Sequence, residues 1–337
     1  MKIFGKDLSH EIAVIAEIGV NHEGDTKKAI ELIHLAAKAG ADAVKFQSYT
    51  PARFISANDP ERLKRVTRFA LDEAAHVKLA AEAKNVGIHF LSTPVTEDWV
   101  PFLASIGSAI KIASGDLVFE PVIRQAARTG LPIILSTGIG SVDEIDRAVS
   151  WIEEEVVGDQ LADRLALMHC VSAYPTPIDQ ANISSVPFLA DRYKLSVGYS
   201  NHVIGIQPCL TAVALGAPLL EVHFTDDKID RTFRDHALSF DASDLEILIK
   251  EVKVVASCCG TYDKTPQPCE IDNLNSTRKG VVAARDLAAG EILTESDLMW
   301  ARPASDFAAV DTNQLIGKKL LNRLGYGETI KRIDVEE

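Results

Sequence analysis

Eight short apolar runs recur along the chain, each ending in residues that can do chemistry: VIAEIG (14–19), AVKFQ (43–47), HFLSTP (89–94), AIKIASGD (109–116), PIILSTG (132–138), LALMHC (165–170), LSVGYSNH (195–202) and LLEVHF (219–224). Most are followed by a stretch with helical apolar spacing. At the start, VIAEIG gives way to the turn NHEGD and then to TKKAIELIHLAAKAG, where Gly40 is placed to close the helix. The same order of helix, glycine and strand returns in HVKLAAEAKNVG before IHFLSTP, and in EPVIRQAARTG before LPIILSTG. Such joints belong to parallel sheets. Eight of them predict a (β/α)8, or TIM, barrel, with its active site where the strands end.

A barrel of this kind takes about 250 residues, so a chain of 337 leaves a remainder at its C-terminal end. After DLEILIKEVKVVASCCG the texture changes: TYDKTPQPCEIDNLNST reads as a linker, and RKGVVAARDLAAGEILTESDLMWARP has short β-like pieces and glycine turns. The expected organisation is a barrel over 1–262, a linker over 263–276 and a compact β-rich module over 277–337. One segment breaks the barrel rhythm. Residues 49–68, YTPARFISANDPERLKRVTR, are polar and rich in charge. They read as a long loop on the active rim, either a lid or a partly ordered surface excursion.

The net charge of −13 argues against broad attraction to nucleic acid or an acidic membrane. It leaves room for an anionic small molecule, because local lysines set the field inside a pocket. No apolar run nears the ~20 residues that span a bilayer, and MKIFGKDLSHEIAV lacks the apolar core of a secretory signal. Cys170, Cys209, Cys258, Cys259 and Cys269 form no paired framework, so reduced thiols in a cytoplasmic protein are expected. The adjacent Cys258 and Cys259 read as apolar filler near a helix end.

Three constellations carry chemistry. His202 and His223 close successive strands, where two imidazoles either share a divalent metal or serve as hydrogen-bonded core groups. Lys45 and Lys111 lie inside apolar runs, where a buried ammonium needs an anion nearby. With Thr93, Ser114, Ser136 and Ser200 at or near strand ends, they suit a phosphate or carboxylate. Glu17, Asp116 and Asp235 supply carboxylates that either move protons and hold sugar hydroxyls or, for Asp116 equally, pair with a lysine.

The motifs EIGVNHEG, KFQ, STP, KIASGD, ILSTG, HCVSAYPTP, GYSNH, EVHFT and DHALS stand in the order seen in sialic acid synthases, and VVAARDLAAGEILTESDLMWARP resembles the antifreeze-like (SAF) domain of that family. The resemblance covers nearly the whole chain. It implies condensation of phosphoenolpyruvate with the open-chain aldehyde of an N-acetylated hexosamine, giving a nine-carbon 2-keto-3-deoxy acid and phosphate. It also implies a manganese ion, or magnesium or cobalt, on His202 and His223. Lys45, Thr93, Lys111, Ser114, Ser136, Ser172 and Ser200 match positions that grip phosphoenolpyruvate. Glu17 matches a substrate-contacting carboxylate that assists proton transfer, and Asp116 a position that is often Glu. Gln47, Tyr174 and Asp235 match positions near the sugar. Arg302 resembles an arginine that reaches the site from the partner subunit of a domain-swapped homodimer.

The chain departs from the family pattern at three places. Ser172 replaces a common Asn, Asn201 replaces an Asp beside the metal histidine, and RPASDF replaces a glycine-rich form of the arginine loop. N-acetylmannosamine, giving N-acetylneuraminate or a close analogue, is the preferred acceptor, with a 2,4-diacetamido-trideoxyhexose next. A pseudaminate-type acceptor, a phosphorylated sugar and a non-catalytic sugar-binding barrel are the alternatives.

Overall fold

A computed structural model describes residues 1–336 apart from Asp159, Asp230, Thr232 and Phe233, with the backbone alone of Arg234. The chain divides into two compact units, Met1–Gly260 and Thr261–Glu337. In the first, eight parallel strands close into a barrel: β1 Ala13–Gly19, β2 Ala43–Ser48, β3 His89–Pro94, β4 Ile110–Ile112, β5 Ile133–Ser136, β6 Leu165–His169, β7 Ser196–Asn201 and β8 Leu219–His223. β8 pairs with β1 to complete the ring. The expected barrel is borne out, and the eight apolar runs are its strands. The ladder ends earlier than the run at β4 and β5, where SGD and TG turn away from the wall.

Side chains alternate across a strand, and here the two faces do different work. Val14, Ala16, Val44, Phe46, Ile133 and Leu135 face outward and join the helices in the main core. Ala13, Ile15, Ala43, Leu91, Ala109 and Ile134 face inward and form an apolar floor. Residues two positions further along the same inward rows are Glu17, Lys45, Thr93, Lys111 and Ser136. The barrel interior therefore changes from hydrocarbon to charge within one layer. A short hairpin, Lys2–Ile3 against Lys6–Asp7, brings Ile3, Phe4 and Leu8 under the floor and plugs it. Each large side chain sealed there contributes about 1.5–3 kcal/mol.

Local signals set the helix boundaries. Asp25 accepts from the Lys27 amide at 2.7 Å to start the helix Thr26–Lys38. Gly40 turns the chain back at φ +91°. Ser141 and Glu144 form a reciprocal capping box at the head of Val142–Glu155.

Two readings need correction. Residues 49–68 are not a long loop: they carry the helices Pro51–Phe54 and Pro60–Phe69, each with proline in its first turn, the second capped by Asp59. Tyr49, Ile55 and Val66 pack there into a small cluster with Phe54 and Leu63. The density of charge masked the apolar stripe. Cys258 and Cys259 are exposed at the end of Ala242–Cys259 and fill no core.

In the second unit β9, Gly280–Ala283, pairs antiparallel with β10, Leu298–Ala301. Val281, Leu293, Leu298, Leu315 and Ile330 lie in its core. The stretch expected as a linker carries a 3-10 turn, Pro268–Asn273, and the helix Leu274–Thr277. Among the described residues no helix is long and apolar enough to cross a membrane.

Gly198 on β7 has no space for a side chain. A methyl group there would overlap the Leu219 carbonyl oxygen on β8 and lie 2.8 Å from Leu219 Cβ. Gly198→Ala is expected to destabilise the barrel by about 1–3 kcal/mol. Urea unfolding checks this as a lower midpoint at unchanged slope.

Candidate active site

Strand register assembles the centre of the site. Glu17 on β1 stands between Lys45 on β2 and His223 on β8, and Glu221 on β8 stands beside Ser200 on β7. Lys45 Nζ lies 2.8 Å from Glu17 Oε2 and 3.7 Å from Glu221 Oε2, and donates to Thr93 Oγ1 at 3.2 Å. Lys111 Nζ donates to Ser136 Oγ at 2.6 Å and lies 3.7 Å from Glu221 Oε1. Ser200 Oγ donates to Glu221 Oε1 at 2.9 Å. Two carboxylates and two ammoniums thus meet in a space where none of the four residues is more than 5% exposed.

Burial and neighbouring charge pull these groups in different directions. Burial pushes the Glu17 carboxyl above its ordinary range; Lys45 opposes this, and Glu221 adds repulsion. Burial would raise Glu221 too, but Lys111 and Lys45 beside it hold it low. Burial would lower Lys45, yet Glu17 and Glu221 keep it raised. For Lys111 burial wins, and the ammonium is lowered. Of the two lysines, Lys45 has two carboxylates within 4 Å, and Lys111 is paired with Glu221 at 3.7 Å. Glu17 Oε2 and Glu221 Oε2 are buried without a well-aligned hydrogen bond and face the Lys45 ammonium at 2.8 and 3.7 Å.

A seat of small groups adjoins Lys111 and Ser136. The Gly138 amide donates to Ser114 Oγ at 3.0 Å, and Ser114 Oγ lies 3.0 Å from Cys170 Sγ. A Cβ at Gly138 would sit 2.5 Å from Ser172 Oγ and 2.8 Å from Ser114 Oγ, so both serines crowd this glycine. Asp116 ends the turn Ser114–Asp116, and burial raises its carboxyl to about 6 against the pull of Lys111.

On the opposite wall the histidine rings lie 5.4 Å apart. His202 Nδ1 is 2.6 Å from the Val171 carbonyl. A carbonyl only accepts, so Nδ1 carries the proton and Nε2 keeps its lone pair. Burial lowers both imidazoles, His223 to about 3, with His202 adding to the effect. Both are neutral near pH 7, the form that binds a metal. The Tyr174 ring lies 4.2 Å from His202 and 5.8 Å from His223. Burial pushes its phenol up, and nearby charges, Asp235 among them, add to the rise. Gln47 Nε2 donates to Glu17 Oε1 at 3.3 Å. Asp235 lies on the helix Arg234–Leu238, half-buried.

Of the residues anticipated from the motifs, Thr93, Ser136, Ser200 and Gln47 bond into the charge cluster, Ser114 and Ser172 meet at Gly138, and Tyr174 lies against both histidines, while charge links Asp235 to Tyr174 and Arg302 belongs to the other unit. That residue follows β10 in the other unit and is exposed there. His169, also at a strand end, faces outward: its Nε2 is 2.9 Å from the Ala181 carbonyl and its ring stacks on Tyr199.

The NeuB family model matches residues 32–264, and the SAF domain model matches residues 278–336. An N,N'-diacetyllegionaminic acid synthase of Campylobacter jejuni is 37% identical over 90% of this chain and 94% of its own. An N-acetylneuraminate-9-phosphate synthase of Drosophila melanogaster is 32% identical over 97% of this chain and 96% of its own. Among solved structures, the N-acetylneuraminic acid (sialic acid) synthetase of Leptospira borgpetersenii superposes with a TM-score of 0.73 at 32% identity, covering 78% of this chain and 90% of that one. The chain belongs to the NeuB family. It is an enzyme of the sialic acid synthase type with a C-terminal SAF domain, as its motifs implied.

In this NeuB-family chain the sequence reading missed Glu221. It lies inside LLEVHF, where a lone Glu reads as part of an apolar run. The signal was its spacing: two residues before His223, it must share that histidine's face.

Asp116 gives a pH test with a defined sign. Its folded value, about 6, exceeds the ordinary 3.8, so the folded state binds the proton more tightly and stability falls as pH rises between the two. Asp116→Asn removes this cost. The variant is expected to be more stable than wild type at pH 7 by the order of 1 kcal/mol after solvent screening. The difference should vanish below pH ~4. Thermal melts across that range check it, and a variant less stable at pH 7 would contradict it.

Proposed function

We propose that the protein condenses phosphoenolpyruvate with the open-chain aldehyde of an acetamido hexose and water, releasing phosphate and a nine-carbon 2-keto-3-deoxy acid. The observation that carries this reading is the pairing, in one mouth, of two buried lysines in a ring of hydroxyls with two neutral histidines. Phosphoenolpyruvate brings a carboxylate and a phosphate. Lys45, Thr93, Lys111, Ser114, Ser136, Ser172 and Ser200 are the chemistry to hold them. Lys111 next to the Ser114–Gly138 seat favours the more highly charged end there.

The bonds balance without a redox partner. The enol π pair at C3 forms a bond to the aldehyde carbon, and the aldehyde oxygen takes a proton. Water adds at C2 and loses a proton; the bond from C2 to the phosphate oxygen then breaks as the new C2 hydroxyl gives its proton to the departing phosphate and becomes the keto group. Glu17, its proton affinity raised by burial, is suited to hold and deliver a proton beside the reacting carbons. Asp116 is the second candidate for a proton role. Gln47, Tyr174 and Asp235 line the side where sugar hydroxyls would lie.

Two neutral imidazoles with one lone pair oriented by the Val171 carbonyl fit a divalent ion, manganese first, with magnesium or cobalt as alternatives. Among the described residues no group of three or more His, Cys, Asp or Glu side chains could hold one. His202 and His223 are the residues that would hold it. Bound there, the ion supplies polarisation of the aldehyde carbonyl.

A homodimer is part of this proposal. Val118, Ile139, Ile178, Ile204 and Ile229 follow β4, β5, β6, β7 and β8 in turn, and each is at least 54% exposed. A ring of aliphatics at the mouth supports a covered working state, in which Arg302 of the partner subunit would reach the sugar. Five free cysteines support a reducing, cytoplasmic setting.

Relatives at 37% and 33% identity are named for N,N'-diacetyllegionaminic acid, which puts a 2,4-diacetamido-trideoxyhexose first among acceptors and N-acetylmannosamine second. The enzyme, incubated with phosphoenolpyruvate, manganese and an acceptor panel, is expected to yield a nine-carbon acid by mass spectrometry. The panel includes N-acetylmannosamine 6-phosphate and arabinose 5-phosphate. Phosphate release with arabinose 5-phosphate alone would overturn the proposal. Manganese at a hundredfold excess over its Kd should stabilise the protein by about 2.7 kcal/mol. His202→Ala should abolish that shift along with activity, as read by thermal melts and phosphate release.

A further inference from the structure

Asp235 is carried by the helix Arg234–Leu238, beyond the end of β8, and two buried links flank it. Asn21, 1% exposed, donates from Nδ2 to the Phe224 carbonyl at 2.9 Å and to Ser239 Oγ at 3.0 Å. Ser239 Oγ donates in turn to the Asp235 carbonyl at 2.6 Å. On the other side His236, fully buried, places Nδ1 2.7 Å from Thr225 Oγ1 and Nε2 3.3 Å from Glu23 Oε1. Glu23 is held by Lys28 at 3.3 Å, and Lys28 also reaches Asp226 at 3.7 Å.

Asn21 and Glu23 belong to the turn after β1, while Phe224 and Thr225 follow β8. The two links therefore tie the Asp235 turn to the rim at the barrel's closing seam. This is the wall opposite β4 and β5, which carry Lys111 and Ser136. Asn21 Oδ1 is buried without a hydrogen bond. An unpaired buried acceptor is costly, and it persists here beside an amide group that makes two good hydrogen bonds.

We propose that Asn21, Ser239 and His236 are positioning residues that clamp Asp235 at the acceptor side of the mouth and leave the phosphoenolpyruvate side unaffected. The inference rests on the synthase reading above. Burial of Ser239 and its single exchangeable oxygen make Ser239→Ala the cleanest probe, because it cuts the link between Asn21 and Asp235 while removing one atom.

The experiment measures both KM values for wild type, Ser239→Ala, Asn21→Ala and the double variant, with thermal melts alongside. Ser239→Ala is expected to raise the acetamido-hexose KM about tenfold, with the phosphoenolpyruvate KM changed less than twofold. Asn21→Ala should show the same split, and the double variant should be no worse than the poorer single one, because both cut one linkage. Equal rises in both KM values, an unchanged acceptor KM, or additive effects in the double variant would overturn the clamp. Failure of wild type to use any acetamido hexose would instead overturn the synthase reading.

Discussion

Everything at the mouth depends on burying Glu17, Glu221, Lys45 and Lys111 together. An isolated ion moved into a protein interior carries a penalty of about several kcal/mol even after relaxation. Four such ions are tolerable only because their signs alternate at contact distance, with Glu17 to Lys45 at 2.8 Å and Glu221 set 3.7 Å from each lysine. The strand register enforces that spacing. Because Glu17, Lys45 and His223 are register neighbours on adjacent strands, their relative positions are a property of the closed barrel and not of mobile loops. The apolar floor beneath, sealed by Ile3, Phe4 and Leu8, keeps water from relaxing the charges from below.

The balance is also incomplete in a useful way. Glu221 is shared between the two lysines at 3.7 Å from each, and burial still lowers the Lys111 ammonium. A site whose charges were fully satisfied would have little to offer a ligand. Here an arriving anion finds a buried ammonium, a ring of hydroxyls and the small Ser114–Gly138–Ser172 seat already in place, so little reorganisation opposes binding. The neutral histidines stand on β7 and β8, with His223 the register neighbour of Glu17, so they adjoin the charge cluster directly.

Legibility followed the same physics. The barrel was readable because each strand, covered on both faces, is a continuous apolar run, and because helix, glycine and strand recur in order. Lys45 and Lys111 stood out because an ammonium inside such a run is costly to bury unless an anion sits beside it. Glu221 did not, since attention to strand ends passed over a residue two positions back on the inward face. The helices within 49–68 were hidden by their charge: PERLKRVTRF has only Val66 and Phe69 buried, too few for the apolar spacing to be visible. The role assigned to Arg302 came from motif likeness alone, since no periodicity or burial pattern within the chain relates it to the barrel.

Two of the three departures that the resemblance implied, Asn201 and Ser172, can be weighed against these contacts. Asn201 donates to the Val203 carbonyl at 2.8 Å and accepts from its amide at 3.1 Å, so the side chain closes the turn that presents His202. An Asp there could accept from the amide but could not donate to the carbonyl. The substitution thus exchanges a charge near the histidines for a better-closed turn, leaving the neutral His202 with less electrostatic support for a cation but a more firmly fixed direction. Ser172 crowds Gly138, where a longer Asn would have to point elsewhere to avoid the same space. In both cases the local geometry is consistent with the residue present, and the cost of departure falls on electrostatics and reach while the backbone that aims the site is preserved.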